Sequence, residues 1–280
     1  LKGLKRKRKN RMRYRQENLL GEKWSFILTS VWGISVKDPF LQRLCGDETE
    51  YRETKRTGGA LGSEGIRFSE FKADVAYRVI EYWGEKIQTV LDPFAGRFTR
   101  MMVSLHLGKN YIGYDVVSEY VQINRERYEK VQKDYPNQSV RLFTGDGCKM
   151  ENLGDASQEF IFTCPPYFNL EEYKNAPGQL SRLSTYGKFL ERINECLVNC
   201  FRVLKRDSFM VFVVGDWHRD GKFYCFHNDF ISLAKNNKFE LWDIVINRVY
   251  SPFVVFAMSQ NERFKWMGKA HEYILVFKKL

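Results

Sequence analysis

Residues 88–100 read QTVLDPFAGRFTR. The β-branched and aliphatic residues at 89–91 have the character of a buried strand. The Asp-Pro that follows cannot continue it, and an amphipathic run resumes at residue 98. Gly96 lets the chain turn sharply between the two and brings backbone close to anything bound there. Strand, tight turn and helix make the opening unit of an α/β sheet, and the neighbouring sequence repeats it.

Strand-like runs occur at 88–92, 111–115, 140–146, 160–163, 209–216, 239–246 and 273–279, with helical patterns at 70–84, 98–107, 117–132, 186–204 and 228–237. The alternation predicts a mostly parallel sheet covered by helices. The last two strands have no clear helix between them and are expected to pair antiparallel at a sheet edge. TGGALGSEG (57–65) is turn-rich and marks a boundary. The expected division is a basic N-terminal extension or linker over 1–65 and one α/β domain over 66–280.

The formal charge is +11. Nine basic residues between Lys2 and Arg15 precede the first acidic residue, Glu17, leaving about +2 for the rest of the chain. Such a tail is either a solvated arm or one that tracks phosphates, and composition favours nucleic acid. No run approaches the roughly 18 apolar residues of a membrane span, which predicts a soluble protein. Six cysteines without CxxC pairs fit a reducing compartment. Cys196 and Cys200 fall on the helical face of Phe189, Ile193 and Leu197, as core residues would. The four histidines form no ligand spacing, so no catalytic metal is expected.

In an open parallel sheet, ligands gather at the carboxyl ends of strands. The first strand ends in Asp92, followed by Phe94 and Gly96. The second ends in Asp115, placed either to hold ribose hydroxyls or to cap the next helix. The third ends in Asp146, which can meet an adenine amino group or make an Asx turn. No GxGxxG or GxxxxGK[ST] is present, so a nucleoside cofactor is indicated over a dinucleotide or a triphosphate. The fourth strand runs into Cys164, Pro165, Pro166 and Tyr167. Two prolines stop the ladder and hold a rigid segment whose carbonyl can accept from an exocyclic amino group, while Tyr167 can stack on a flat ring.

DPFAGRF and CPPY resemble the DPFxGxG and [DNS]PP[YFW] motifs of S-adenosylmethionine-dependent DNA methyltransferases that modify N6 of adenine or N4 of cytosine. VVGD (213–216) and HEYILVFKK (271–279) extend the likeness over about 66–280, and TCPPY is similar to phage and prophage methylase domains that often follow a ParB-like domain. The resemblance implies a Rossmann-like, seven-stranded methyltransferase sheet and S-adenosyl-L-methionine as cofactor, held by Asp92, Phe94, Gly96, Asp115 and Asp146. It implies a flipped-out base gripped by Cys164, Pro165, Pro166 and Tyr167. It also implies a DNA partner, a role in DNA methylation or restriction-modification, a bacterial or phage-infected cytoplasm, and a fused domain upstream of Leu1. Two departures stand out: Phe98 replaces the second glycine, and Cys164 is a weaker acceptor than Asp, Asn or Ser. Segments 219–229 and 251–269 mix aromatic and basic residues, as either base-contacting loops or packed surface. An RNA amino-methyltransferase and a cofactor-free DNA-binding scaffold are the rival readings.

Overall fold

The computed structural model describes residues 30–32, 71–170, 176–249 and 265–280. The basic tail at 2–15, the boundary at 57–65 and segment 251–264 lie outside the described residues.

In chain order the elements are β1 (Val31–Trp32), α1 (Ala73–Trp83), β2 (Thr89–Asp92), α2 (Thr99–His106), β3 (Asn110–Asp115), α3 (Ser118–Val131), β4 (Val140–Thr144) and β5 (Gln158–Thr163). They continue with α4 (Tyr186–Val203), β6 (Leu204–Val214), β7 (Trp217–Arg219), β8 (Lys222–Tyr224), α5 (Phe226–Asn236), β9 (Glu240–Arg248) and β10 (His271–Lys278). Eight strands form one sheet in the order β1-β9-β10-β6-β5-β2-β3-β4. β10 runs antiparallel to both β6 and β9, and the other pairs are parallel. All seven expected strands are present, and the last two pair antiparallel as expected. The two-residue β1 extends the sheet beyond β9.

Alternation along the strands builds two cores. Leu91, Ile161, Met210, Phe212, Leu275 and Phe277 face one side, where α4 and α5 cover them. Val90, Phe160, Phe162, Val211, Val213, Ile274 and Val276 face the other, under α1 and α2. Cys196 and Cys200 are fully buried in the first core, in keeping with their packing role. No helix among the described residues is long and apolar enough to cross a membrane.

β7 and β8 form a separate hairpin that the sequence reading treated as loop. Its two-residue turn is Asp220-Gly221, with φ of 50° and 74°. Positive φ at both central positions is what an Asp-Gly hairpin turn requires, so that dipeptide was the available signal.

Candidate active site

Asp92, at the tip of β2, is fully buried. Its Oδ2 accepts from Arg100 Nε at 2.6 Å and from the Tyr111 hydroxyl at 2.6 Å, and its Oδ1 from the Thr163 hydroxyl at 2.5 Å and Phe94 N at 3.3 Å. Arg100, also buried, donates onward to the Phe94 and Ala95 carbonyls at 2.5 and 3.1 Å. A buried ion pair of this kind holds only when its remaining hydrogen-bonding capacity is met, and here the DPFAG backbone meets it. Burial, then the adjacent carboxylate, push the Tyr111 phenol up, which keeps the proton on the oxygen that donates. Asp92 therefore faces inward, where it fixes the loop that carries Phe94 and Gly96.

Thr163, the last residue of β5, joins the two motifs. Besides donating to Asp92, its hydroxyl accepts from Phe94 N at 3.2 Å. Cys164, immediately after it, is thereby set against the DPFAG turn. Arg100, Tyr111 and Thr163 were missed in the sequence: Tyr111 and Thr163 lie 19 and 71 positions from Asp92, and nothing local marks Arg100 as its partner.

Gly96 has φ of 53°, and a Cβ there would meet no heavy atom within 4 Å, so the turn borders open space. Its N–H donates to Asp115 Oδ2 at 2.9 Å, and its carbonyl accepts from Asn124 Nδ2 at 2.9 Å. Asp115 Oδ1 accepts from Val117 N at 2.8 Å, ahead of α3. This is an Asx turn ahead of the helix: the N-cap of α3 is Val117, which carries no side-chain cap, so the capping reading of Asp115 is not realised, and each Asp115 oxygen keeps a further lone pair. Burial raises the Asp115 carboxyl to about 6 despite these two backbone donors. Phe98 is buried in the core under α1 and α2 rather than in the mouth of the turn, so the missing second glycine leaves the open space at Gly96 intact.

Asp146 follows β4 and makes the Asx turn, accepting from Cys148 N at 3.0 Å. Its other oxygen pairs with Arg192 of α4, which also pairs with Glu195. Gly178 returns over it: a Cβ there would stand 3.7 Å from Asp146 Oδ2 and 3.3 Å from Val116 Cγ1. No hydrogen bond joins Asp146 to Asp92 or Asp115; what it borders is α4 and the chain returning from the proline loop.

Pro165 is buried, and Pro166 and Tyr167 are half-buried. The Pro165 carbonyl is approached by the Cys164 thiol at 4.0 Å, a weak contact that leaves it able to accept. The Tyr167 ring meets Trp217 edge-on at 5.5 Å and Phe226 at 6.4 Å. A Cβ on Gly215 of VVGD would stand 3.3 Å from its hydroxyl. Trp217, Tyr224, Tyr186, Phe168 and Phe189 continue this aromatic wall beneath the β7–β8 hairpin.

A loop bordering open space, one partly exposed carboxylate and a rigid proline segment thus share the carboxyl edge of the sheet. The family described as DNA methylase matches residues 3–126 and 159–280. The chain belongs to that family. Solved structures agree on the fold. An S-adenosylmethionine-dependent methyltransferase from Methanosarcina mazei is 12% identical, with a TM-score of 0.51 over 72% of this chain and 97% of that one. Geranyl diphosphate methyltransferase, solved with geranyl diphosphate and sinefungin, is 10% identical, with a TM-score of 0.52 over 75% and 79%. TrmN from Thermus thermophilus is 12% identical, with a TM-score of 0.50 over 75% of this chain and 49% of that one, so the chain spans about half of TrmN. No curated protein matches the sequence. The chain accordingly has a Rossmann-like methyltransferase fold in which the DPFAG and TCPPY segments are joined through Thr163.

Proposed function

We propose that this DNA methylase uses S-adenosyl-L-methionine to methylate the exocyclic amino group of a flipped-out adenine (N6) or cytosine (N4) in DNA. The observation that carries the reading is the Thr163 bridge, which ties the TCPPY segment to the DPFAG turn and so sets base acceptors beside a cofactor loop. When bound, the cofactor supplies a methyl group on a sulfonium. The open space at Gly96 fits its methionine portion, beside Phe94, and Asp115 has lone pairs left for the two ribose hydroxyls. Asp92 acts from beneath by holding the loop. Asp146, shared with Arg192, borders the adenine end.

On the substrate side, the Pro165 carbonyl accepts a hydrogen bond from one amino N–H, the Cys164 side chain stands where a better acceptor usually does, and the proton lost after methylation passes to solvent. Pro166 stiffens the segment, and Tyr167, backed by Trp217 and Phe226, offers a ring face for the base. Most of the barrier reduction comes from positioning and from excluding water, because the amino lone pair is delocalised into the ring until the nitrogen becomes tetrahedral. Arg219, Lys222, Lys269 and the exposed Phe223 on and beside the hairpin contact the DNA backbone and bases around the pocket, with the basic tail at 2–15 adding salt-dependent affinity.

Transfer from tritiated cofactor to DNA, tRNA and a protein extract, run in parallel, tests the assignment. Label in DNA is expected. Label only in RNA or protein, or in none, contradicts it.

A further inference from the structure

The β7–β8 hairpin leaves the body after Asp216 and rejoins it at Cys225, just ahead of α5. At this neck three side chains converge, and the donor atoms of Asp216, Cys225 and His227 all lie within 4.8 Å of one another. His227 Nδ1 stands 2.7 and 2.9 Å from the two Asp216 oxygens and 3.8 Å from Cys225 Sγ. The His227 N–H also donates to Asp216 Oδ1 at 3.1 Å. Tyr273 stacks on the imidazole with centroids 4.0 Å apart and fixes the ring plane. Asp216 is buried, whereas Cys225 and His227 are part-exposed, so the cluster opens to solvent on one side.

We infer that Asp216, Cys225 and His227 bind one divalent transition-metal ion of the zinc class, which clips the neck of the hairpin. A carboxylate, an imidazole and a thiolate form a mixed set that suits zinc and is poorly matched to magnesium or calcium. Around a tetrahedral zinc, with bonds of about 2.0–2.3 Å, donors stand roughly 3.3–3.6 Å apart. The Nδ1–Sγ separation is already on that scale, and the Nδ1–carboxylate separation needs to open by about 0.5 Å. Binding displaces the Cys225 thiol proton to solvent, and the neutral imidazole ligates through Nδ1 as the tautomer with its one ring proton on Nε2; solvent fills the fourth position. The ion would pin Trp217, and with it the wall behind Tyr167, to the end of β6. The sequence hides this set because the eight residues of the hairpin, 217–224, separate Asp216 from the other two.

The test adds cobalt(II) to the full chain after chelator treatment, and titrates zinc into it by calorimetry. A thiolate-to-cobalt charge-transfer band and one zinc per chain are expected. Cys225→Ser should remove the band, and both Cys225→Ser and His227→Gln should weaken zinc binding by more than about tenfold, since even outer partners of metal ligands cost that much. Metal-free variants whose thermal midpoints match the parent show that the loss is not unfolding. A parent chain without the band, a band that persists in Cys225→Ser, or equal zinc affinity in parent and variants would each overturn the assignment. None of these readings depends on methyl transfer.

Discussion

Asp92 and Asp115 end neighbouring parallel strands, yet their surroundings make them different instruments. Asp92 is sealed, paired with Arg100 and met by two hydroxyls. Asp115 lies partly exposed at the open turn, met by two backbone N–H groups and by no cation within ion-pair distance among the described residues. The first carboxylate builds the loop; the second, on the function we propose, is left for a ligand. A residue type at a strand tip therefore says little until its partners are known.

The largest expected effect breaks the sealed side. Asp92→Ala should cost about 3–5 kcal/mol of stability in urea unfolding, because it leaves Arg100 buried without its partner. Adding Arg100→Met should restore part of that loss. If the double variant is as unstable as the single, the uncompensated charge is not the cause.

Thr163→Val keeps the shape and removes the bridging hydroxyl, a hydrogen bond to a charged group worth about 2 kcal/mol. Turnover should fall with it, while the Kd for S-adenosylhomocysteine moves little. An unchanged kcat would separate the bridge from the chemistry.

Asp115→Asn keeps one acceptor oxygen for the two backbone N–H groups, so it should cost about 1 kcal/mol of stability and, unlike Thr163→Val, bind S-adenosylhomocysteine roughly tenfold more weakly in calorimetry, about 1.4 kcal/mol. The raised carboxyl gives this comparison a pH signature. Hydroxyl groups donate to the charged form, so affinity in the parent should decline as pH falls through about 6, by at most about tenfold per pH unit. The Asn variant should lack that decline. In the ligand-free protein the sign reverses: the stability contribution of Asp115 is fully present below the ordinary value of 3.8 and is lost as pH rises through about 6.

The smallest effect concerns position 164. Cys164→Ser supplies a better acceptor at nearly the same size and should raise turnover about two- to tenfold, the worth of one modest hydrogen bond. A fall would mean that the thiol itself is preferred there.

The sheet was legible because alternation along each strand and a turn at each end are local properties. Val90 and Leu91, or Ile161 and Phe162, announce two buried faces without reference to anything distant. The tips were legible as places but not as roles. Nothing in the sequence pattern singles out Arg100, Tyr111 or Thr163: the β2–turn–α2 unit brings Arg100 back to Asp92, and the sheet order brings Tyr111 and Thr163. Arg192 was similarly silent, since its partner Asp146 lies 46 positions earlier. The hairpin could have been read from Asp220-Gly221, and the start of β6 could not. Its first residues, Leu204 to Arg206, include an exposed Lys-Arg pair and follow α4 directly, without a turn signal.

The central claim is that the sealed and open carboxylates together serve methyl transfer to an amino nitrogen of DNA. Duplex DNA incubated with the protein and methyl-deuterated S-adenosylmethionine, digested to nucleosides and resolved by mass spectrometry, tests it most directly. Labelled N6-methyladenine or N4-methylcytosine is predicted, and label on C5 of cytosine, or none in DNA, would contradict it.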